Sequence, residues 1–346
     1  MRIALISDAW HPQINGVVTT LSNTCQALEK LGHTVELIAP ERFRTWPCPG
    51  YPEVGLAFLC GPRLRPIVEA FQPDAIHLAT EGPVGYAARR YCLYKGFHYT
   101  TSFHSRFPEY LKLRIGFPLS VSSAYLRWFH SKSTRVMVAT ESLRRELAAK
   151  RFRRLALWSR GIDTALFRPR EKAFLQDRRP IFMFTGRVAI EKNVEVFLAL
   201  DLPGTKYVVG DGPQREELAR RYPTVGFVGF KKGEELARHM AAADVLVFPS
   251  RTDTFGLVIL EALACGVPVA AYPVQGPKDV ITDLRVGVLD HDLRQAAIEA
   301  LSLDPEDCRH YALQFSWESS ARQFLDNLTP MGKGFGSWWK RNFLYW

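Results

Sequence analysis

The stretch from Asp244 to Gly276, DVLVFPSRTDTFGLVILEALACGVPVAAYPVQG, leaves few choices of fold. A β-branched and apolar run (Val245 to Phe248) leads into a polar loop (Pro249 to Thr254). An apolar-periodic segment then runs to Gly266, and a second apolar run covers Val267 to Ala271. Strand, loop, helix, strand in that order is a βαβ unit of a parallel sheet. Similar alternation fills the rest of the chain. Strands are expected at Arg2 to Ser7, Val35 to Ala39, Leu56 to Leu59, Ala75 to Leu78, Tyr99 to Ser102, Val136 to Ala139 and Leu155 to Trp158. A second series is expected at Ile181 to Thr185, Lys206 to Val209, Val225 to Val228, Val245 to Phe248, Val267 to Ala271 and Val286 to Leu289. This pattern specifies α/β architecture with doubly wound sheets. At 346 residues the chain has room for two such domains. The turn-rich SRGIDTALFRP (Ser159 to Pro169) reads as the linker between them, dividing 1–163 from 164–330, with 331–346 a basic aromatic tail.

Two carboxylates stand in the organising stretch: Asp253 on the loop and Glu261 about two turns into the helix, with Phe255, Gly256 and Leu257 at the helix start between them. A helix start presents unbonded N–H groups and partial positive charge, which suit an anion. Carboxylates beside it accept hydrogen bonds from hydroxyls, and an anion flanked by hydroxyls describes a nucleotide sugar. On spacing alone, Asp253 reads equally as a helix cap and Glu261 as a solvated face residue. The segment PSRTDTFGLVILEALACGVPVAA resembles the donor-site motif of family 4 retaining glycosyltransferases, which carry two acids separated by seven residues. The family more often has Glu at the first of these positions, where this chain has Asp253. The linker also resembles the family's RGxDxxxF pattern.

The resemblance implies a GT-B fold, two Rossmann-like domains facing across a cleft, with the last helix crossing back to the first domain. It also implies a nucleotide-sugar donor and a set of contact residues. In GRVAIEKN, Gly186 and Arg187 follow a strand and Lys192 opens the next helix, where the family grips the diphosphate; alone they read as surface cations on a loop. Gly229 and Phe230 are expected against the base, Glu261 at the ribose, and Asp253 with the Phe255 and Gly256 amides at the sugar and its phosphate. Asp211 is expected to shape its own turn. Asn15 and Gly16 occupy a strand-to-helix turn near the donor. His104, in SFHSRFPEY, matches a family histidine that contacts the donor sugar. Arg187, Lys192 and the helix starts at Gly16 and Phe255 would stabilise the leaving diphosphate. No DxD-like metal cluster precedes a strand end, so protein cations are expected to take the place of a metal ion, and neither a metal nor a cofactor is expected. The fingerprint GxGxxG is missing after the first strand, against a nicotinamide or flavin enzyme. An epimerase of the same fold, and a mannosyltransferase acting on a soluble or polysaccharide acceptor, are the competing readings.

Charge and cysteine narrow the setting. Residues 1–163 hold 22 Lys and Arg against 12 Asp and Glu, so the whole net charge of +10 lies in the first half. A basic half implies an anionic partner, and no nucleic-acid motif is visible. An anionic membrane surface and a lipid or glycan acceptor are therefore expected. Three segments fit a membrane: RRELAAKRFRR (Arg144 to Arg154), FPLSVSSAYLRWF with Val121, Tyr125, Trp128 and Phe129 on one helical face, and the tail MGKGFGSWWKRNFLYW. The resemblance extends to glycolipid synthases and phosphoinositide mannosyltransferases. Six cysteines without metal-like spacing and the lack of an N-terminal signal point to a cytoplasmic protein, peripheral on the inner face of the plasma membrane.

Overall fold

The computed structural model describes residues 1–13, 15–48, 51–104, 112 and 116–332. Its strands are β1 (Arg2–Ile6), β2 (Thr34–Ile38), β3 (Arg44–Cys48), β4 (Tyr51–Phe58), β5 (Ala75–Leu78), β6 (Thr100–Phe103), β7 (Val136–Val138) and β8 (Leu155–Leu157), then β9 (Ile181–Thr185), β10 (Thr205–Val209), β11 (Gly226–Gly229), β12 (Val245–Phe248), β13 (Val269–Ala271) and β14 (Gly287–Leu289). They form two parallel six-stranded sheets, β2-β1-β5-β6-β7-β8 and β11-β10-β9-β12-β13-β14, plus the antiparallel pair β3-β4. The chain divides into two compact units: Met1–Ser105, Pro118–Ser159 and Glu318 onward make the first, and Arg160–Trp317 most of the second. The break therefore falls four residues before the expected 163/164 boundary, and residues 318–330 belong with the first unit, as a returning last helix requires.

One strand expectation needs correction. Leu56 to Leu59 was expected in the main sheet, but β4 pairs only with β3, from Arg44↔Phe58 to Cys48↔Tyr51. Pro47 and Pro52 explain the exclusion, because a residue without an N–H is poorly tolerated in a central strand. The other expected strands form within two residues of their expected limits. The helix Pro305–Ala312 was not anticipated.

In both sheets the chain starts in the middle and reverses direction of growth, between β1 and β5 and between β9 and β12. Ligands of open parallel sheets bind beyond the strand C-termini at such a point. In the first unit that place is closed by the protein itself. Asp8, just after β1, accepts from Val84 N (2.7 Å), Gly85 N (3.2 Å) and the Thr80 hydroxyl (2.8 Å), so it caps the helix Pro83–Lys95. Burial pushes the Asp8 carboxyl above its ordinary range, against the pull of those three bonds. The contact leaves no room for side chains, since a Cβ on Gly85 would lie 2.0 Å from Thr80 O and one on Gly82 2.5 Å from Asp8 Cγ. The last helix, Trp317–Asn327, is stitched into this unit. Trp158 Nε1 donates to Ser320 Oγ (3.2 Å), Asn327 Nδ2 to Leu157 O (2.6 Å) and Met331 N to Asp74 O (2.7 Å).

Gly85→Ala should lower the first unit's unfolding free energy by about 2–3 kcal/mol, the usual cost of overpacking. Gly61→Ala, in a helix with nothing within 4 Å of the new methyl, should be neutral or slightly stabilising. Urea denaturation followed by far-UV circular dichroism checks both.

Candidate active site

The second unit's switch point gathers most of the expected donor residues. After β9 the chain passes Gly186 and half-buried Arg187, makes a 3-10 turn at Ile190–Lys192, and enters the helix Val194–Ala199. Lys192 thus closes the turn before that helix and does not open it. After β12 the loop reaches Gly256 and the helix Leu257–Ala264. The two loops are tied together: Asn193 Nδ2 donates to Pro249 O (3.2 Å), and the Ser250 and Thr252 hydroxyls donate to Glu191 O (3.4 and 3.3 Å). Lys192 Nζ then meets Asp253 Oδ1 at 2.5 Å, 24% and 13% exposed respectively. The second carboxylate oxygen, Asp253 Oδ2, is buried and makes no hydrogen bond among the described residues. A buried acceptor without a donor is costly in a folded protein, and its satisfaction by a ligand is a direct gain in binding.

Beside that oxygen the helix Leu257–Ala264 begins without a side-chain cap. Its N-cap is Gly256, at φ 85°, where any Cβ would press on Ile259 Cδ1 at 3.1 Å and Phe248 Cζ at 3.2 Å. Phe255 is buried before it and Leu257 is the first helical residue. The first turn therefore keeps amides and positive dipole for a ligand. The helix is apolar almost throughout, with Ile259, Leu260, Ala262, Leu263 and Ala264 buried, and its C-terminus is held by Arg309, whose Nη1 donates to Ala264 O at 2.8 Å. Glu261 is the carboxylate carried by this apolar helix. Burial pushes its carboxyl up from the ordinary 4.5 to about 7.

Glycines let the neighbouring loops close in. Gly210 lies so near the β9 loop that a Cβ would sit 1.8 Å from Gly186 O, and Gly276 would place one 2.8 Å from Asp253 O. Gly229 ends β11 at φ 74°, with Phe230 next to it, 41% exposed. Asp211 accepts from Gly212 N at 2.8 Å, the turn-shaping part expected of it.

The first unit holds the remaining residues. Asn15 caps the helix Gly16–Lys30, its Oδ1 accepting from Val17 N and Val18 N at 3.0 Å each. That bonding occupies two of the amides a phosphate at Gly16 would need. His104 follows β6, two strands from β1, and its Nε2 lies 2.8 Å from Ser102 Oγ. Ser102 Oγ lies 3.0 Å from His77 Nε2 and donates to Ala79 O at 3.2 Å. With the one Ser102 proton on Ala79 O, both histidines donate through Nε2–H. His77 Nδ1 lies 2.9 Å from the Thr100 hydroxyl, which is also within 3.5 Å of Ile76 O. Reading the sequence alone missed Asp8, His77 and the pair His130–Glu81 (3.2 Å). The only signal was a polar residue inside or just after an apolar run.

The membrane-facing expectations fare unevenly. Val121, Tyr125 and Trp128 are exposed, but Phe129 is fully buried in the first unit's core. Several cations of Arg144 to Arg154 are paired nearby: Arg144 and Arg145 with Glu141 (2.6 and 3.0 Å), and Lys150 with Glu146 (2.5 Å). Residues 333–346 of the tail lie outside the described residues. Among the described residues no helix is long and apolar enough to cross a membrane, and no group of three or more His, Cys, Asp or Glu is placed to hold a metal ion.

The family model described as Glycosyltransferase Family 4 matches residues 14–166, and that described as Glycosyl transferases group 1 matches 179–303. A GDP-mannose-dependent alpha-mannosyltransferase of Mycolicibacterium smegmatis is 31% identical over 329 residues, covering 87% of each chain. The alpha-monoglucosyldiacylglycerol synthase of Streptococcus pneumoniae is 27% identical over 371 residues, covering 94% of this chain and 83% of its own. In structure, the sucrose-phosphate synthase from Thermosynechococcus elongatus superposes with a TM-score of 0.75 at 22% identity, covering 94% and 97% of the two chains. The protein is a hexosyltransferase of glycosyltransferase family 4, with the GT-B fold.

Proposed function

We propose that the protein moves a hexosyl group from a nucleotide diphosphate sugar to a hydroxyl of a membrane glycolipid or diacylglycerol, with retention at the anomeric carbon. The observation that carries the donor site is the buried, unsatisfied Asp253 Oδ2 beside Lys192 and an uncapped helix start. A sugar hydroxyl donates to that oxygen. The diphosphate takes the amides after Gly256 together with Lys192 and Arg187, and Glu261 accepts from the ribose. Gly229 and Phe230 flank the base. The Asn15 side chain keeps the corresponding amides of the first unit occupied, which favours the second unit as the anion site.

In the reaction the bond from the anomeric carbon to the diphosphate oxygen breaks, and its electron pair leaves with the nucleotide. The acceptor oxygen forms the new bond on the same face, and its proton passes to the departing phosphate. Lys192, Arg187 and the helix start act where that negative charge develops, in place of a metal ion. His104, its Nε2 anchored on Ser102, positions the sugar and forms no covalent intermediate. The lipid acceptor is supported by the basic first half, by exposed Val121, Tyr125 and Trp128, and by the name of the diacylglycerol-directed relative. We place the enzyme in the cytoplasm, at the inner face of the plasma membrane. A thermal-shift panel of GDP-mannose, UDP-glucose, UDP-galactose and UDP-glucuronate identifies the donor. Nucleotide release that requires a lipid acceptor separates this reading from an epimerase, and transfer to water-soluble glycans alone would contradict the lipid acceptor.

Lys192→Ala should lower kcat/KM at least tenfold, about 1.4 kcal/mol of transition-state stabilisation. It should also destabilise the fold, because Asp253 loses its partner; adding Asp253→Ala should restore stability without restoring turnover. Steady-state kinetics alongside thermal melts separate the two effects.

Glu261 gives a pH signature. Because its carboxyl titrates near 7 when folded, against 4.5 ordinarily, its effect on stability is most favourable below pH 4.5 and is lost as pH rises through 7. Glu261→Gln should thus raise the thermal midpoint at pH 8, leave it nearly unchanged at pH 4.5, and still reduce transfer at least about tenfold. Turnover of the wild type should survive a strong chelator; loss of activity restored by Mg²⁺ or Mn²⁺ would overturn the metal-free account.

A further inference from the structure

The first unit carries a groove that the donor chemistry does not use. It has a volume of about 670 Å³ and runs between the helices Cys60–Phe71 and Pro83–Lys95, beside the end of β4. Phe58, Leu59, Tyr86 and Tyr94 form its apolar wall, and Arg65 and Arg90 its charged one. All four apolar side chains are exposed, Leu59 by 74% and Tyr94 by 67%.

Leu59 is the informative residue. It joins β4 to the following helix at φ 53°, ψ 39°, the left-handed region, and its side chain gains no burial there. A bulky apolar residue in that conformation is an outlier, and strain of this kind is kept where it serves a contact. Glycine would make the same turn without strain and without exposing apolar surface. The leucine side chain is therefore explained by something outside the unit that it touches.

The surface continues past the groove. Tyr86 lies 6.0 Å from the Trp128 ring, and Trp128 lies 5.8 Å from Tyr125, so an aromatic strip leads from Leu59 and Tyr94 to exposed Val121. Arg89 fixes the strip from behind, its guanidinium 3.8 Å from the Trp128 ring centroid. Contiguous exposed apolar surface of this extent marks an interaction site. Its charged rim selects the partner. Arg65 and Lys95 share Glu69 at 3.0 Å each, while Arg90 stacks 5.9 Å from the Tyr86 ring and faces no carboxylate among the described residues. Cations beside exposed aromatics at a groove match an amphiphile with an anionic head and apolar chains.

We propose that this groove seats an anionic glycerolipid of the bilayer, with an acyl chain along Leu59, Tyr86 and Tyr94 and the phosphate at Arg90. The proposal rests on the membrane reading above and assigns where the first unit meets the bilayer. It makes Leu59, rather than the basic run Arg144 to Arg154, the wedge into the membrane.

The test uses the full chain and sedimentation with vesicles of phosphatidylcholine and phosphatidylglycerol, in moderate salt. Leu59→Gly should weaken vesicle binding at least tenfold, while its thermal midpoint stays equal to or above wild type and the shift produced by nucleotide sugar is unchanged. Arg90→Gln should lose the preference for phosphatidylglycerol over pure phosphatidylcholine. Wild-type affinity in both variants would overturn the groove and leave the membrane reading standing, and so would binding that disappears only when residues 333–346 are removed. Failure of the wild type to bind either vesicle would overturn the groove and the membrane reading together.

Discussion

An ammonium and a carboxylate drawn from water to 2.5 Å apart lose hydration that their mutual attraction only partly returns. In the second unit this pair, Lys192 and Asp253, joins the loop after β9 to the loop after β12, across the point where the sheet reverses its growth. The bond uses one carboxylate oxygen and leaves the other buried and unsatisfied. The rest of the site depends on that geometry. Gly256 starts the next helix with no side-chain cap, and the glycines at 210 and 276 let the neighbouring loops come close to Gly186 and Asp253.

The two units differ in strand order but share a reversal point in a parallel sheet, and their helix caps there differ. In the first, Asp8 takes the amides of Val84 and Gly85 and Asn15 those of Val17 and Val18, so both helix starts at the reversal point are satisfied internally. In the second, the equivalent helix after β12 has only glycine before it. The difference is a handful of side chains, and it leaves the helix after β12 as the start without a side-chain cap. The first unit instead presents an exposed aromatic strip beside Arg90, which has no carboxylate partner among the described residues.

Much of this was legible in the sequence because period and punctuation carry it. Val245–Phe248, Ala75–Leu78 and Ile181–Thr185 form as read, since short apolar runs between turn formers have few alternatives in an α/β chain. The pairing of Asp253 with Lys192 was not legible. The two are far apart in sequence and meet through strand order, which no local pattern states. Nor could Phe129 be separated from Tyr125 and Trp128 on its helix, because all are large and apolar and only packing tells the core side from the open one. Leu59 gave no signal at all: a left-handed leucine looks like any other until its dihedral angles are seen.

The central claim is that nucleotide sugar binds at the reversal point of the second sheet. Hydrogen–deuterium exchange of the full chain, with and without the donor selected by thermal shift, tests it most directly. Amides in 186–192 and 255–261 should gain protection when the nucleotide sugar is added, while those of the helix Gly16–Lys30 should change little. Protection centred on the Gly16 turn, with 255–261 unaffected, would contradict the account.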